Sequence, residues 1–147
     1  MSIRIRKLVD GDFFPWLGLY EQYGQHYAAA IDDQVALRVW SWITDPAVPL
    51  DGLIAVDDEQ LVGLAHYRGF VQPLTASRGV FVEDLFVVPT ARQNGLGTIL
   101  VEAVKAEASA TGASILRLSA RPDDEMANSV YGALATRSSG NEYEAAI

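Results

Sequence analysis

Between residues 79 and 98 the chain runs from a Val- and Phe-rich stretch, through a proline, into a glycine-containing turn that opens an amphipathic helix. Few folds accommodate that order. Gly79 to Val88 reads as a strand interrupted by the acidic pair Glu83-Asp84, and it stops at Pro89 because proline has no N–H for a sheet ladder. From Leu96 onward the apolar positions Leu96, Ile99, Leu100, Ala103, Val104 and Ala108 fall on one helical face, and Gly112 stands where a C-terminal cap belongs. Between them lies Arg92-Gln93-Asn94-Gly95-Leu96-Gly97-Thr98. The first N–H groups of a helix have no partner inside it and sit at the positive end of its dipole, so a phosphate fits there. Gly95 and Gly97 lack the Cβ that would hold a pyrophosphate away, and Arg92 adds a charge-assisted contact. A Walker loop is excluded, since no lysine follows the second glycine. A dinucleotide fingerprint fits poorly, with Leu100 in place of a third glycine and Ser119 in place of an acidic residue after the next strand.

The elements on either side supply a complete α/β order. Ile3 to Leu8 alternates like a strand and leads into a helical stretch from Asp12 to about Ala30, with Pro15 in its first turn. A second helix is expected over Asp32 to Ile43, ended by Asp45-Pro46. Leu53 to Val56 and Leu61 to Tyr67, joined by Asp57-Asp58-Glu59-Gln60, predict a β-hairpin. Ile115 to Leu118 gives another strand and Asp123 to Leu134 a shorter helix carrying Tyr131 on the face of Asp124 and Ala127. A last short strand is expected after the turn Ser138-Ser139-Gly140-Asn141.

With 147 residues, half of them hydrophobic, one domain spanning 1–147 is expected. No apolar run reaches the ~18–20 residues of a membrane span, and the N-terminus lacks a secretory apolar core; a cytoplasmic protein with no membrane partner is expected. The net charge of −8 repels phosphate backbones, so nucleic acid is an unfavourable partner and any anionic cofactor needs locally positive groups. The absence of cysteine removes disulfides, thiolate metal sites and a Cys nucleophile. His26 and His66 have no ligand spacing with carboxylates, so no metal is expected.

The wording Val82-Glu83-Asp84-Leu85-Phe86-Val87-Val88-Pro89 followed by R-x-x-G-x-G resembles the signature of the GNAT superfamily of N-acetyltransferases, in particular its diamine and polyamine acetyltransferase branch. The similarity in element order covers Ile3 to about Leu134. It implies an acyl-CoA N-acyltransferase-like α/β fold with a mixed, mainly antiparallel sheet flanked by helices, acetyl-CoA as acetyl donor, and a small primary amine as acceptor. A homodimer is common in that family. The resemblance places Phe86, Val87 and Val88 along the pantetheine arm and residues 92–98 (Arg92, Gln93, Asn94, Gly95, Leu96, Gly97 and Thr98) around the pyrophosphate. The family's later Asn, Ala and Tyr fall on Asp124, Ala127 and Tyr131. Asp124 is a departure, since an ionised carboxylate accepts but does not donate, and Asn128, one turn before Tyr131, is a substitute amide.

An alkylammonium with a pKa of about 10.4 must lose a proton before it attacks. Glu83 is the first candidate base, directly or through water, and Asp84, on the opposite face of an alternating strand, is the second. Tyr131 is the candidate acid for the departing thiolate, with a packed core tyrosine as the competing reading. Without a cysteine or a G-x-S-x-G serine, direct transfer in a ternary complex is expected. Tyr23, Tyr27, His66 and Asp84 are candidates for the acceptor site, while core packing is the ordinary role for the Trp16, Tyr20, Tyr23, Tyr27 stripe. The alternatives left open are a catalytically silent acyl-CoA-binding module and acetylation of a protein amine.

Overall fold

The computed structural model describes residues 2–147, excepting the side chain of Gln93. Five strands, β1 (Ile3–Lys7), β2 (Leu50–Asp57), β3 (Gln60–Gln72), β4 (Ser77–Val87) and β5 (Ile115–Leu118), form one sheet in the order β1-β2-β3-β4-β5. The first four are antiparallel neighbours, and β5 joins β4 in parallel. Helices α1 (Phe13–His26) and α2 (Asp33–Ile43) cover one face, and α3 (Leu96–Ala110) with α4 (Glu125–Leu134) covers the other. The mixed, mainly antiparallel sheet expected from the sequence is therefore present.

Because both faces are covered, the central strands are apolar on both sides. In β2, Leu53 and Ala55 meet Leu100, Val101 and Val104 on the α3 side, while Ile54 and Val56 meet Trp16, Leu19 and Ala36 on the α1–α2 side. Leu100 and Val104 are fully buried, each side chain contributing about 1.5–3 kcal/mol relative to exposure. Helix α2 begins where the Asp32 carboxylate accepts from the Val35 N–H at 2.9 Å, a cap that satisfies one donor of the first turn.

Two expectations from the sequence are corrected. Helix α1 ends at His26 rather than near Ala30, because Ala28 turns to φ +53° and the Ala29 N–H folds back onto Gly24 O at 2.7 Å. The last strand does not form: among the described residues, those after α4 contain no helix or strand. Residues 136–142, Thr-Arg-Ser-Ser-Gly-Asn-Glu, offer no apolar side chain to bury. Among the described residues no helix is long and apolar enough to cross a membrane.

One irregularity positions the site. In the β3–β4 ladder His66 pairs with Asp84 but Tyr67 pairs with Val82, leaving Glu83 as an extra residue. This is a β-bulge, which bends the strand and puts its two consecutive side chains on one side. The packing records the change of parity: Val80, Val82, Leu85 and Val87 all face α3, whereas Phe86 faces α1.

Candidate active site

Strand β4 stays paired with β3 as far as Val87, but its pairing with β5 ends at Val82–Leu118. Along Glu83–Val87 the outer edge of β4 therefore borders a cleft instead of a fifth strand, with α3 and α4 beyond it. Pro89–Asn94 forms a 3-10 segment leading to Gly95, whose φ of +67° is the left-handed conformation glycine adopts without strain. A Cβ built on Gly95 meets nothing within 4 Å, so that side of the turn is open. The α3 ladder starts with the Ile99 N–H donating to Gly95 O at 3.1 Å, which leaves the N–H groups of Leu96, Gly97 and Thr98 without partners inside the helix. Arg92 Nε donates to Val87 O at 2.8 Å and the guanidinium lies 5.6 Å from the Phe86 ring centroid, fixing a cation beside the turn. Asn94 is exposed, Thr98 half-buried, and Leu96 sends its side chain into the core. Gln93 sits in the same turn, its side chain outside the described residues. Gly97 has a different reason from the one the sequence suggested: its missing Cβ would stand 3.0 Å from Val130 Cγ2 of α4. It allows close helix approach rather than close phosphate approach.

At the other end of the cleft lies a hydrogen-bonded chain. Trp16 Nε1–H donates to His66 Nε2 at 3.0 Å, and His66 Nδ1 lies 2.8 Å from Asp84 Oδ2. An indole can only donate, so His66 Nε2 is the acceptor and the Nδ1–H tautomer points at Asp84. His66, among the expected acceptor-site residues, is fully buried and is separated from any ligand by Asp84, which it orients. Burial by itself would raise the Asp84 carboxyl, but hydrogen bonds from His66, Tyr23 and Tyr20 outweigh it and hold the group below the usual carboxylate range. The Tyr20 hydroxyl is 3.4 Å from Asp84 Oδ2. Burial, then the neighbouring Asp84 charge, keeps Tyr20 and Tyr23 protonated well above the ordinary phenol value.

Glu83 is bound by Arg68, Nε to Oε1 at 2.5 Å, and is exposed. Arg68 in turn packs over Phe81. The alternation-based reading that Glu83 and Asp84 face opposite ways is overturned by the bulge: both line one pocket on the α1–α2 side. This pocket, ≈ 440 Å³, is also walled by Tyr20, Val39, Trp42 and Leu50.

Tyr131 projects from α4 into the packing on the α3 side. Burial, followed by the charges of Asp124 and Asp84, raises its phenol above the ordinary value. Asp84 is thus felt both in the acceptor-side pocket and at Tyr131. Asp124 is buried; its Oδ1 accepts from the Ala127 N–H at 3.1 Å, capping α4, and its Oδ2 accepts from the Tyr27 hydroxyl. Tyr27 is in addition covered by the Arg121 guanidinium. Asn128 Nδ2 donates to Arg121 O at 2.7 Å and Asp124 O at 2.8 Å, so its amide donors brace the turn before α4 instead of facing the cleft. Asp124 and Asn128 are thereby committed to local structure in this conformation. Among the described residues, no group of three or more His, Asp or Glu side chains gathers as metal ligands do.

Sequence reasoning left Trp16 and Tyr20 to the core and did not find the pocket wall. The one available signal was the aromatic stripe Trp16, Tyr20, Tyr23 at helical spacing, in which Trp16 stacks on Tyr20 and Tyr20 on Tyr23, with Tyr20 edge-on to His66.

The open helix start at Gly95, the β4 edge unpaired beyond Val82 and the pocket holding Glu83 and Asp84 stand on one α/β scaffold, and comparison with known proteins identifies its class. Residues 10–135 match the Acetyltransferase (GNAT) family, and the chain belongs to it. It is similar to the D-amino-acid N-acetyltransferase HPA3 of Saccharomyces cerevisiae, 29% identical over 112 residues covering 75% of this chain and 70% of the relative. It is also 29% identical over 132 residues to the uncharacterized N-acetyltransferase YhfO of Bacillus subtilis, covering 88% and 86% respectively. The fold matches that of AAC(6')-Iy in complex with the bisubstrate analogue CoA-S-monomethyl-acetylneamine, with TM-score 0.85, 23% identity and coverage of 100% and 99%. The protein is an N-acetyltransferase of this family, with acetyl-CoA as the donor the family implies.

Proposed function

We propose that this protein transfers the acetyl group of acetyl-CoA to the primary amine of a small molecule, by direct attack in a ternary complex. The observation that carries the reading is that β4, unpaired with β5 beyond Val82, carries Asp84 in the pocket and runs on through Pro89–Asn94 to the open turn at Gly95. The residues fit the cofactor: the open side of Gly95 and the N–H groups of Leu96, Gly97 and Thr98 receive a pyrophosphate, with Arg92, Gln93 and Asn94 in the turn beside it. The main chain of Phe86, Val87 and Val88 runs along the arm. Bound there, acetyl-CoA supplies an activated acyl thioester.

The chain's own groups do the rest. Asp84, kept ionised, accepts hydrogen bonds from the substrate ammonium and holds it at the cleft. A carboxyl held this low is a poor direct base, so the proton leaves through water toward Glu83 at the exposed rim. At neutral pH, freeing an amine of pKa about 10.4 costs roughly 4–5 kcal/mol, small beside the roughly 7–11 kcal/mol available from positioning. Tyr131, whose phenol burial keeps protonated, would serve as the hydrogen-bond donor to the sulfur of a bound thioester. Tyr23 and Tyr27 support the site by holding Asp84 and Asp124.

The test is release of free thiol from acetyl-CoA with a panel of small amines, alongside calorimetric titration with CoA. Binding together with amine-dependent thiol release supports the reading. Binding without turnover on any amine would show a silent acyl-CoA-binding module, and no binding would remove the cofactor site.

A further inference from the structure

Resting on that reading, the charge pattern of the pocket narrows the acceptor. Among the described residues, the charged groups lining it are Arg68, Glu83 and Asp84. Arg68 and Glu83 are paired with each other, so their charges cancel. Asp84 lies 3.4 Å from the Tyr20 hydroxyl and 2.8 Å from Nδ1 of His66, a ring that accepts at Nε2 from the Trp16 indole and so carries its one N–H toward Asp84. The remaining wall, Val39, Trp42, Val48, Pro49 and Leu50, is apolar.

From one uncompensated carboxylate at the base of an apolar pocket we propose that the acceptor is a monoamine with a hydrophobic or aromatic body, not a polyamine. The ammonium sits on Asp84 and the body lies against Val39, Trp42 and Leu50. A second ammonium a few bonds away would be taken from water into that wall with no partner, which is strongly unfavourable. A space of ≈ 440 Å³ lies within the usual size of small-ligand sites. The wall also explains why Trp42, 43% exposed, stands open at the rim: it is an unfilled aromatic surface beside a carboxylate, suited to the apolar part of an amine.

The experiment compares phenethylamine, hexylamine and spermidine, first by calorimetric binding to the protein with and without CoA, then as acetyl acceptors. The monoamines should bind at least about tenfold more tightly than spermidine, with the same order in kcat/KM. Trp42→Glu, a change at an exposed position, places a second carboxylate on the wall and should reverse the order; Leu50→Asp provides an independent second variant. Equal or tighter binding of spermidine to the unaltered protein overturns the inference while leaving the transferase reading intact. Absence of binding and turnover for every amine overturns both.

Discussion

Replacing Asp84 by Asn removes the site's one uncompensated charge while keeping its shape. Two unit charges about 4 Å apart interact by roughly 4 kcal/mol at an effective dielectric constant near 20. The Asp84 side chain is 21% exposed, so solvent screens part of this, and Asn still offers a carbonyl oxygen to the ammonium. A net loss of about 2–3 kcal/mol remains, typical of losing a hydrogen bond to a charged group. That corresponds to a roughly 30- to 150-fold rise in amine dissociation constant, since 1.4 kcal/mol is about tenfold. His66 can still donate to the Asn carbonyl, so the fold should persist, as circular dichroism would verify. CoA affinity, set around Gly95 at the far end of the cleft, should change by less than about twofold. Calorimetric titrations of amine and CoA measure both numbers on one preparation. A folded Asp84→Asn protein whose amine affinity shifts less than about threefold would refute the anchoring role; equal loss of amine and CoA affinity would mark Asp84 as a structural brace.

Tyr131→Phe should lower kcat about 100-fold while leaving CoA affinity in place, and a parallel loss of both would assign Tyr131 to packing. Gly97→Ala should destabilise the protein by about 1–2 kcal/mol in urea, because its Cβ would press on Val130 3.0 Å away; Val130→Ala in the same chain should restore most of the loss, and failure to do so would refute the helix-contact explanation. Nitrogen-15 NMR of the imidazoles should show His66 as the Nδ1–H tautomer, and an Nε2–H signal would contradict the Trp16 donor. Acid titration provides another check: the hydrogen bond from Arg6, though opposed by burial, holds Asp12 below the usual carboxylate range in the folded protein. Its stabilisation is then fully present above the unfolded value of about 3.9 and is lost as pH falls toward the folded one. Asp12→Asn should therefore flatten the acid side of the stability curve, and an unchanged curve would remove Asp12 from the account.

Much of the scaffold could be read from periodicity, because its elements are locally consistent. Helix α3 declares itself through Leu96, Leu100 and Val104 at helical spacing, and the β2–β3 hairpin through its charged turn between apolar runs. What escaped was non-local or off-period. The bulge at Glu83 is silent in sequence, because an extra residue in a strand leaves no compositional mark but reverses the face of everything after it. The Trp16–His66 hydrogen bond joins residues 50 apart, and no local pattern announces such a pairing. Gly97 drew notice in the sequence for pyrophosphate approach, whereas its packing against Val130 of α4 joins residues 33 positions apart and leaves no local pattern. The pocket wall combines α2 with the start of β2, whose approach depends on the folded chain rather than on either segment alone.

The irregular rung at Glu83 means that the number of residues in β4 is itself part of the chemistry. Deleting that one position would restore an unbroken two-residue repeat with Asp84 still opposite His66 and Leu85 still toward α3, removing only Glu83 and the bend it makes. Loss of that codon should therefore leave the remaining β4 side chains on their own faces, whereas loss of a regular position such as Leu85 would not.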